Sequence, residues 1–164
     1  MQFIAKLTNI SKTYNYQYVF KPVNLLAHSK EAWHICGKNG SGKSTLLKII
    51  AGICNYTGSC QIQSSLAYIG HQPGLYGQLT AEENLKYFTT WHASNTKNEL
   101  IKQLFEDWQL PGHLPVDLLS AGQRQSVGLL CLVALNRKCW LLDEPTQCLD
   151  CAKTRLWFNL CQNH

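Results

Sequence analysis

Gly37-Lys38-Asn39-Gly40-Ser41-Gly42-Lys43-Ser44 satisfies the pattern G-x-x-x-x-G-K-[ST]. The pattern demands a strand before it, a helix after it and a phosphate in the loop itself. Glycines at 37, 40 and 42 open backbone conformations closed to residues with a Cβ, so successive N–H groups can converge on one anion. Lys43 reaches the β- and γ-phosphates as a point charge, and Ser44 offers its hydroxyl to Mg²⁺. The helix that starts here aims the positive end of its dipole at the same place. The residues expected around the phosphates are therefore Gly37, Lys38, Asn39, Gly40, Ser41, Gly42, Lys43, Ser44 and Thr45, with Lys43 also counted as catalytic.

Both flanks fit this requirement. Ala32-Trp33-His34-Ile35-Cys36 reads as a short buried strand, and Ser44 to Ala51 as a helix that stops at Gly52. Upstream, Phe3, Ile4, Leu7 and Ile10, then Tyr16, Tyr18 and Phe20, then Val23, Leu25 and Leu26 alternate with polar residues and predict short antiparallel strands. Downstream, Asn55 to Ser59 reads as a turn and Leu66 to Gly70 as a buried strand. Thr80-Ala81-Glu82-Glu83 is a capping-box pattern ahead of Leu85, Phe88 and Trp91, and Leu100, Ile101, Leu104, Phe105 and Trp108 follow at helical spacing. The segment from about 78 to 110 is expected to be wholly helical, closed by Pro111 to Pro115. A helix over about 121–136 then leads to a strand at Lys138 to Leu142. The aromatic positions of the helical segment have the spacing that helix packing alone requires.

Cys139-Trp140-Leu141-Leu142-Asp143-Glu144 is an apolar strand ending in two adjacent carboxylates. Asp143 is placed to hold Mg²⁺, directly or through water. Glu144 can polarise a water for in-line attack on the γ-phosphate.

A chain of 164 residues, 45% hydrophobic, suffices for one globular domain. The longest apolar run, Val127 to Leu135, is too short to cross a bilayer, and Met1 to Ile10 lacks the build of a signal peptide. A cytosolic or equivalent compartment is expected, with the eight cysteines reduced. Cys148-Leu149-Asp150-Cys151 has redox-like spacing but lacks the thioredoxin setting. The net charge of +5 is modest and selects no partner by itself.

Leu119-Ser120-Ala121-Gly122-Gln123 opens a helix with Ser120 as its N-cap, and it resembles the Leu-Ser-Gly-Gly-Gln signature of ATP-binding cassette (ABC) proteins. The other parts of that family occur in order. Tyr14 lies about thirty residues before Lys43, where the family places an adenine-stacking aromatic, although Tyr16 and Tyr18 are near enough to compete. Gln72 stands at the position of its Q-loop, and Leu149-Asp150 matches the end of its D-loop. The resemblance implies a P-loop NTPase fold of class α/β: N-terminal antiparallel strands (1–30), a parallel core (31–75 and 137–164) and an inserted helical subdomain with the signature helix (76–136), together one domain over 1–164. It implies that Gln72 contacts Mg²⁺ and the attacking water. It also implies that Ser120, Gly122 and Gln123 meet ATP held by a second subunit, so that the working unit is a dimer, and that integral membrane subunits are the remaining partners. No tandem cassette or strongly basic arm points to ribosomes or DNA, so no nucleic acid is expected. Nor is there a guanine-reading Asn-Lys-x-Asp.

A finer resemblance rests on Tyr68-Ile69-Gly70-His71-Gln72-Pro73-Gly74, on Leu79-Thr80-Ala81-Glu82-Glu83-Asn84-Leu85, on the alanine of the signature and on the short helical unit. Together they look like the haem exporter ATP-binding subunits of cytochrome c maturation (CcmA type). Those subunits power a membrane complex that releases haem from its chaperone. The implied location is peripheral, on the cytoplasmic face of the bacterial inner membrane or the matrix face of the mitochondrial one. His71, beside Gln72, reads as a neutral loop histidine rather than a haem ligand.

The family's switch histidine falls about thirty residues after the catalytic glutamate, whereas His164 is twenty residues past Glu144 and is not given that role. Ala152 to Gln162 reads as the helix before the strand that carries the switch. The expectation is a truncated frame or fragment, a reduced subunit completed by another chain, or a decaying gene. In the signature helix Ser126 and Cys131 replace basic residues, and Gly128 occupies an interior position at a cost of about 1 kcal/mol relative to alanine. The alternative to an ATPase is thus a clamp that binds ATP without efficient hydrolysis.

Overall fold

The structure, a computed structural model, describes residues 3–91 and 98–162; the side chains of Trp91 and Asn98, and His164, lie outside the described residues. The chain divides into two compact units, one ending at Tyr68 and one beginning at Ile69.

In the first unit β1 (Phe3–Tyr14) and β2 (Gln17–His28) pair antiparallel, and β3 (Thr57–Ile62) pairs antiparallel with the other edge of β1, giving the order β2-β1-β3. The hairpin between β1 and β2 turns on Asn15 and Tyr16, both at positive φ (48° and 63°), which suits the twist of the flanking strands. The strands are longer than the sequence reading expected. Its second and third apolar runs fuse into β2, which tolerates Pro22 because it is an edge strand with no ladder bond to lose on its open side. On β1 the alternation slips at Asn9 (φ 51°), so that Ala5, Leu7 and Ile10 are all buried. With Leu46, Ile49 and Ile50 of helix α1 (Lys43–Ile50) they form this unit's core.

Two expectations are corrected here. The presumed turn at Asn55 to Ser59 runs into β3, where Gly58 adopts φ 110° and a Cβ would collide with the Asn9 carbonyl. A glycine read as turn chemistry is in fact a close approach of two strands. Ala32–Cys36 is not a strand: it joins no ladder among the described residues, and Trp33 is 56% exposed. Local polar bonds compete with extension, because the Glu31 carboxylate accepts from the His28 N–H (2.9 Å) and from the Trp33 indole N–H (3.0 Å). These bonds, with His28 at 3.4 Å, hold the Glu31 carboxyl below its ordinary pKa.

The boundary between the units falls within β4 (Leu66–Ile69), which forms a two-stranded sheet with β5 (Cys139–Leu142). The second unit contains α2 (Ala81–Trp91), α3 (Asn98–Asp107), a 3-10 turn (Val116–Leu118), α4 (Ala121–Ala134) and α5 (Cys151–Gln162). The expected helix over 78–110 is thus α2 and α3, with 92–97 outside the described residues. It stops at Asp107 because Gln109 takes φ 50°, a left-handed conformation that ends helices. α4 packs against both α2 and α3, and its second half is buried almost all round through Val127, Leu129, Leu130, Leu132 and Ala134. Trp157 of α5 stacks on Trp140 of β5 with centroids 5.6 Å apart and planes 18° apart.

Candidate functional site

The phosphate loop lies in the first unit. Gly40 and Gly42 have φ 78° and 89°, and a Cβ on Gly42 would press on Phe20 (2.7 Å) and Val19 (2.8 Å) of β2. Gly37 is glycine for a different reason: a Cβ there would stand 2.6 Å from the Ser41 hydroxyl. The Ser41 N–H donates to the Lys38 carbonyl (3.1 Å), closing the loop on itself. Gly42 is the N-cap of α1, with no side-chain cap bond and no acidic residue in the first turn. The helix N-terminus therefore has the donors and the dipole for an anion and no carboxylate of its own to repel one. Lys43 folds back so that its ammonium donates to the Gly37 (3.0 Å) and Lys38 (3.2 Å) carbonyls. Neutral carbonyls hold that charge over the loop without neutralising it, an arrangement that fits a triphosphate. Lys38, Asn39 and Ser41 are exposed, and Ser44 and Thr45 are half-buried at the start of α1.

Tyr14, at the end of β1, is 57% exposed, with its hydroxyl 4.0 Å from the Cys54 sulfur. The Lys12 ammonium sits 4.8 Å over its ring, a contact the sequence reading did not anticipate. Tyr16 and Tyr18 are still more exposed, at 104% and 64%, so exposure does not separate the three candidates.

The remaining candidates lie in the second unit. Asp143 is buried at the end of β5, and its backbone N–H donates to the Ile69 carbonyl (3.0 Å). Glu144 is exposed and takes φ 53°, a left-handed conformation rare for a residue with a side chain. Ser120 caps α4 in a reciprocal box: its hydroxyl accepts from the Gln123 N–H (3.2 Å), while the Gln123 side-chain oxygen accepts from the Ser120 N–H (2.9 Å). Gln123 thus has a structural duty at the helix start. Gly122 is required sterically, because a Cβ would stand 2.6 Å from the Cys148 carbonyl oxygen. Gln72 and His71 are exposed in the loop after β4. With Arg124, Gln125 and Cys148 they line a pocket of about 360 Å³.

Gly128 corrects the sequence reading. A Cβ at this position would collide with Pro73 and lie 3.1 Å from Ile69 Cδ1, so the helix-interior glycine lets α4 approach the loop that carries Gln72. Gln125 and Asn84 are buried polar side chains to which the sequence reading gave no role. Gln125, 4% exposed, donates from Nε2 to the Pro145 carbonyl (3.0 Å). Asn84, fully buried in α2, donates to the carbonyls of Tyr76 (3.0 Å), Leu79 (3.3 Å) and Thr80 (2.9 Å) and accepts from the Tyr76 N–H (2.8 Å), fixing the loop beyond Gln72. For Asn84, a polar residue on the apolar face of a helical pattern was the available signal; Gln125, between Arg124 and Ser126, offered none.

A profile of the ABC transporter family matches residues 20–147. The cytochrome c biogenesis ATP-binding export protein CcmA of Vibrio cholerae is 32% identical over an alignment covering 90% of this chain and 78% of that protein. The protein of the same name from Rhizobium johnstonii is 33% identical, covering 87% and 74% respectively. Among solved structures, an ATP-binding subunit of an ABC transporter superposes with a TM-score of 0.85 at 24% identity, covering 98% of this chain and 74% of that one. At that identity the superposition speaks to the fold: a P-loop nucleotide-binding architecture with antiparallel N-terminal strands and parallel strands with helices.

Proposed function

Since this chain belongs to the ABC transporter family, we propose that it is the ATP-binding and ATP-hydrolysing subunit of a haem export or haem release complex in cytochrome c biogenesis. The observation that carries nucleotide binding is the first turn of α1, uncapped and free of acid, with the Lys43 ammonium drawn over the loop by neutral carbonyls. The haem export assignment is supported by the two curated relatives, whose names place them in cytochrome c biogenesis.

In this reading the N–H groups of residues 37–45 and the Lys43 side chain bind and orient the phosphates of ATP, and the aromatic group of Tyr14 stacks on the base. Ser44 and Asp143 would hold the Mg²⁺ that accompanies the triphosphate and offsets the charge on its oxygens. Glu144 accepts a hydrogen bond from the attacking water and turns its lone pair toward the γ-phosphorus, with Gln72 fixing the water's position. Ser120 and Gly122 present the start of α4 to ATP on a second copy, so the working unit is a dimer seated on integral membrane subunits. Among the described residues no helix is long and apolar enough to cross a membrane, which is consistent with a peripheral subunit.

Calorimetric titration of the purified chain with Mg·ATP tests the binding step. Wild type is expected to bind, and Lys43→Ala to weaken binding at least tenfold. No heat in wild type, alone or with its membrane subunits, would overturn the reading. Glu144→Gln tests the chemistry: it should lower steady-state turnover about a hundredfold or more, to a small residual rate, while leaving binding intact. If wild type binds ATP but releases no phosphate, the chain is a nucleotide clamp instead.

A further inference from the structure

Glu144 holds its left-handed φ of 53° between backbone and side-chain anchors. Before it, the Asp143 N–H donates to the Ile69 carbonyl (3.0 Å); after it, the Gln147 N–H donates back to the Glu144 carbonyl (3.2 Å). Both of these are backbone bonds that no side-chain substitution removes. The third anchor is the Gln125 amide, whose Nε2 donates to the carbonyl of Pro145, the residue next to Glu144 (3.0 Å).

Gln125 is 4% exposed on α4, where every neighbour from Ser126 to Leu132 is buried. An apolar side chain would fill this position without desolvating an amide, so the amide is maintained by the bond it makes. The preceding turn of α4 is shaped to receive the same loop. Gly122 leaves room for the Cys148 carbonyl, and the Ser126 hydroxyl donates to the Gly122 carbonyl (2.9 Å). The start of α4 is therefore a bed for residues 145–148, and Gln125 is the side chain that fastens the end nearest Glu144.

We propose that Gln125 is a positioning residue for the ATPase reaction: its amide pins the Pro145 carbonyl and so fixes the direction in which Glu144 presents its carboxylate. This rests on the reading of Glu144 as the group that polarises the attacking water. Gln125 also lines the pocket shared with His71, Gln72 and Arg124.

The test uses the full chain, purified with the membrane subunits that accompany it, and two variants. Gln125→Met keeps length and packing without a donor; Gln125→Glu, measured near pH 8, keeps the shape and replaces the donating nitrogen with an oxygen. Each is expected to lower kcat about tenfold, equivalent to about 1.4 kcal/mol of transition-state stabilisation. The KM for ATP should stay within about twofold, since the nucleotide contacts are untouched. In a Glu144→Gln background, Gln125→Met should cause no further loss of the residual turnover, because both substitutions act through one carboxylate. A purely structural role predicts the same proportional loss in both backgrounds. Full kcat in Gln125→Met, or an equal loss with Glu144→Gln already present, overturns the proposal. If Gln125→Met does not fold, full kcat in Gln125→Glu overturns it in the same way. A wild-type complex without turnover defeats the reading of Glu144 itself, a result distinct from one that turns over ATP and ignores position 125.

Discussion

Gly128 sets two effects of known size against each other. Helix propensity favours alanine by about 1 kcal/mol at an interior position. Packing opposes it, because the added methyl collides with the Pro73 ring and crowds Ile69. Ile69 Cδ1 is a side-chain end that can give way, but the Pro73 ring is rigid, so overpacking prevails, and Gly128→Ala is expected to destabilise the protein by about 1–3 kcal/mol. Urea unfolding monitored by tryptophan fluorescence checks this: the midpoint should fall at unchanged slope. A rise in the midpoint would show that propensity governs the position. Gly128 also shows how far single residues can be read from sequence. The glycines of the phosphate loop were legible because each answers a local demand, a positive φ or a close approach within a few residues. Gly128 and Gln125 answer to Pro73 and Pro145, which are distant in sequence, and nothing in the local pattern names those partners.

At the scale of elements, the helices declared themselves through their ends. Thr80 with Glu83 forms the capping box that the spacing implied, and Ser120, expected as an N-cap, forms the same reciprocal bonds with Gln123. Each cap satisfies two backbone donors that would otherwise lack partners. Ser120→Ala should therefore cost about 1 kcal/mol of stability and fray the first turn of α4. Hydrogen exchange reads this directly: the amide of Gln123 loses protection first, ahead of the helix centre. Unchanged protection there would mean that packing, rather than the cap, fixes this end. Strands were less legible, since a strand exists only through its ladder. Ala32–Cys36 had the apolar run without a pairing partner among the described residues, while β3, polar in Thr57-Gly58-Ser59, had a partner without the apolar run. Glu31 sharpened the first error by capturing the Trp33 indole and the His28 amide in bonds that a five-residue apolar window cannot reveal.

For the whole molecule, the eight thiols report how burial is distributed through both units. All are free; Cys36, Cys148 and Cys151 are exposed, and Cys131 is buried inside α4. Burial raises the Cys131 thiol to about 12 and the Cys161 thiol to about 11, and lifts Cys60 and Cys139 in the same direction. Alkylation with iodoacetamide near pH 8 should modify the three exposed thiols first. Cys131 should react only on unfolding, and in denaturant all eight should be modified. The same shift fixes the sign of an alkaline instability. Above the ordinary thiol value of 9.0 the unfolded chain releases the Cys131 proton while the folded chain retains it to about 12, so the unfolded state binds fewer protons and stability falls as pH rises across that window. The slope is about 1.4 kcal/mol per pH unit for one fully buried thiol. Cys131→Ala loses packing at every pH but lacks this slope, so its deficit relative to wild type should narrow between pH 9 and 11 in denaturant titrations. A deficit that stays constant across those pH values would show that Cys131 does not keep its proton in the folded state.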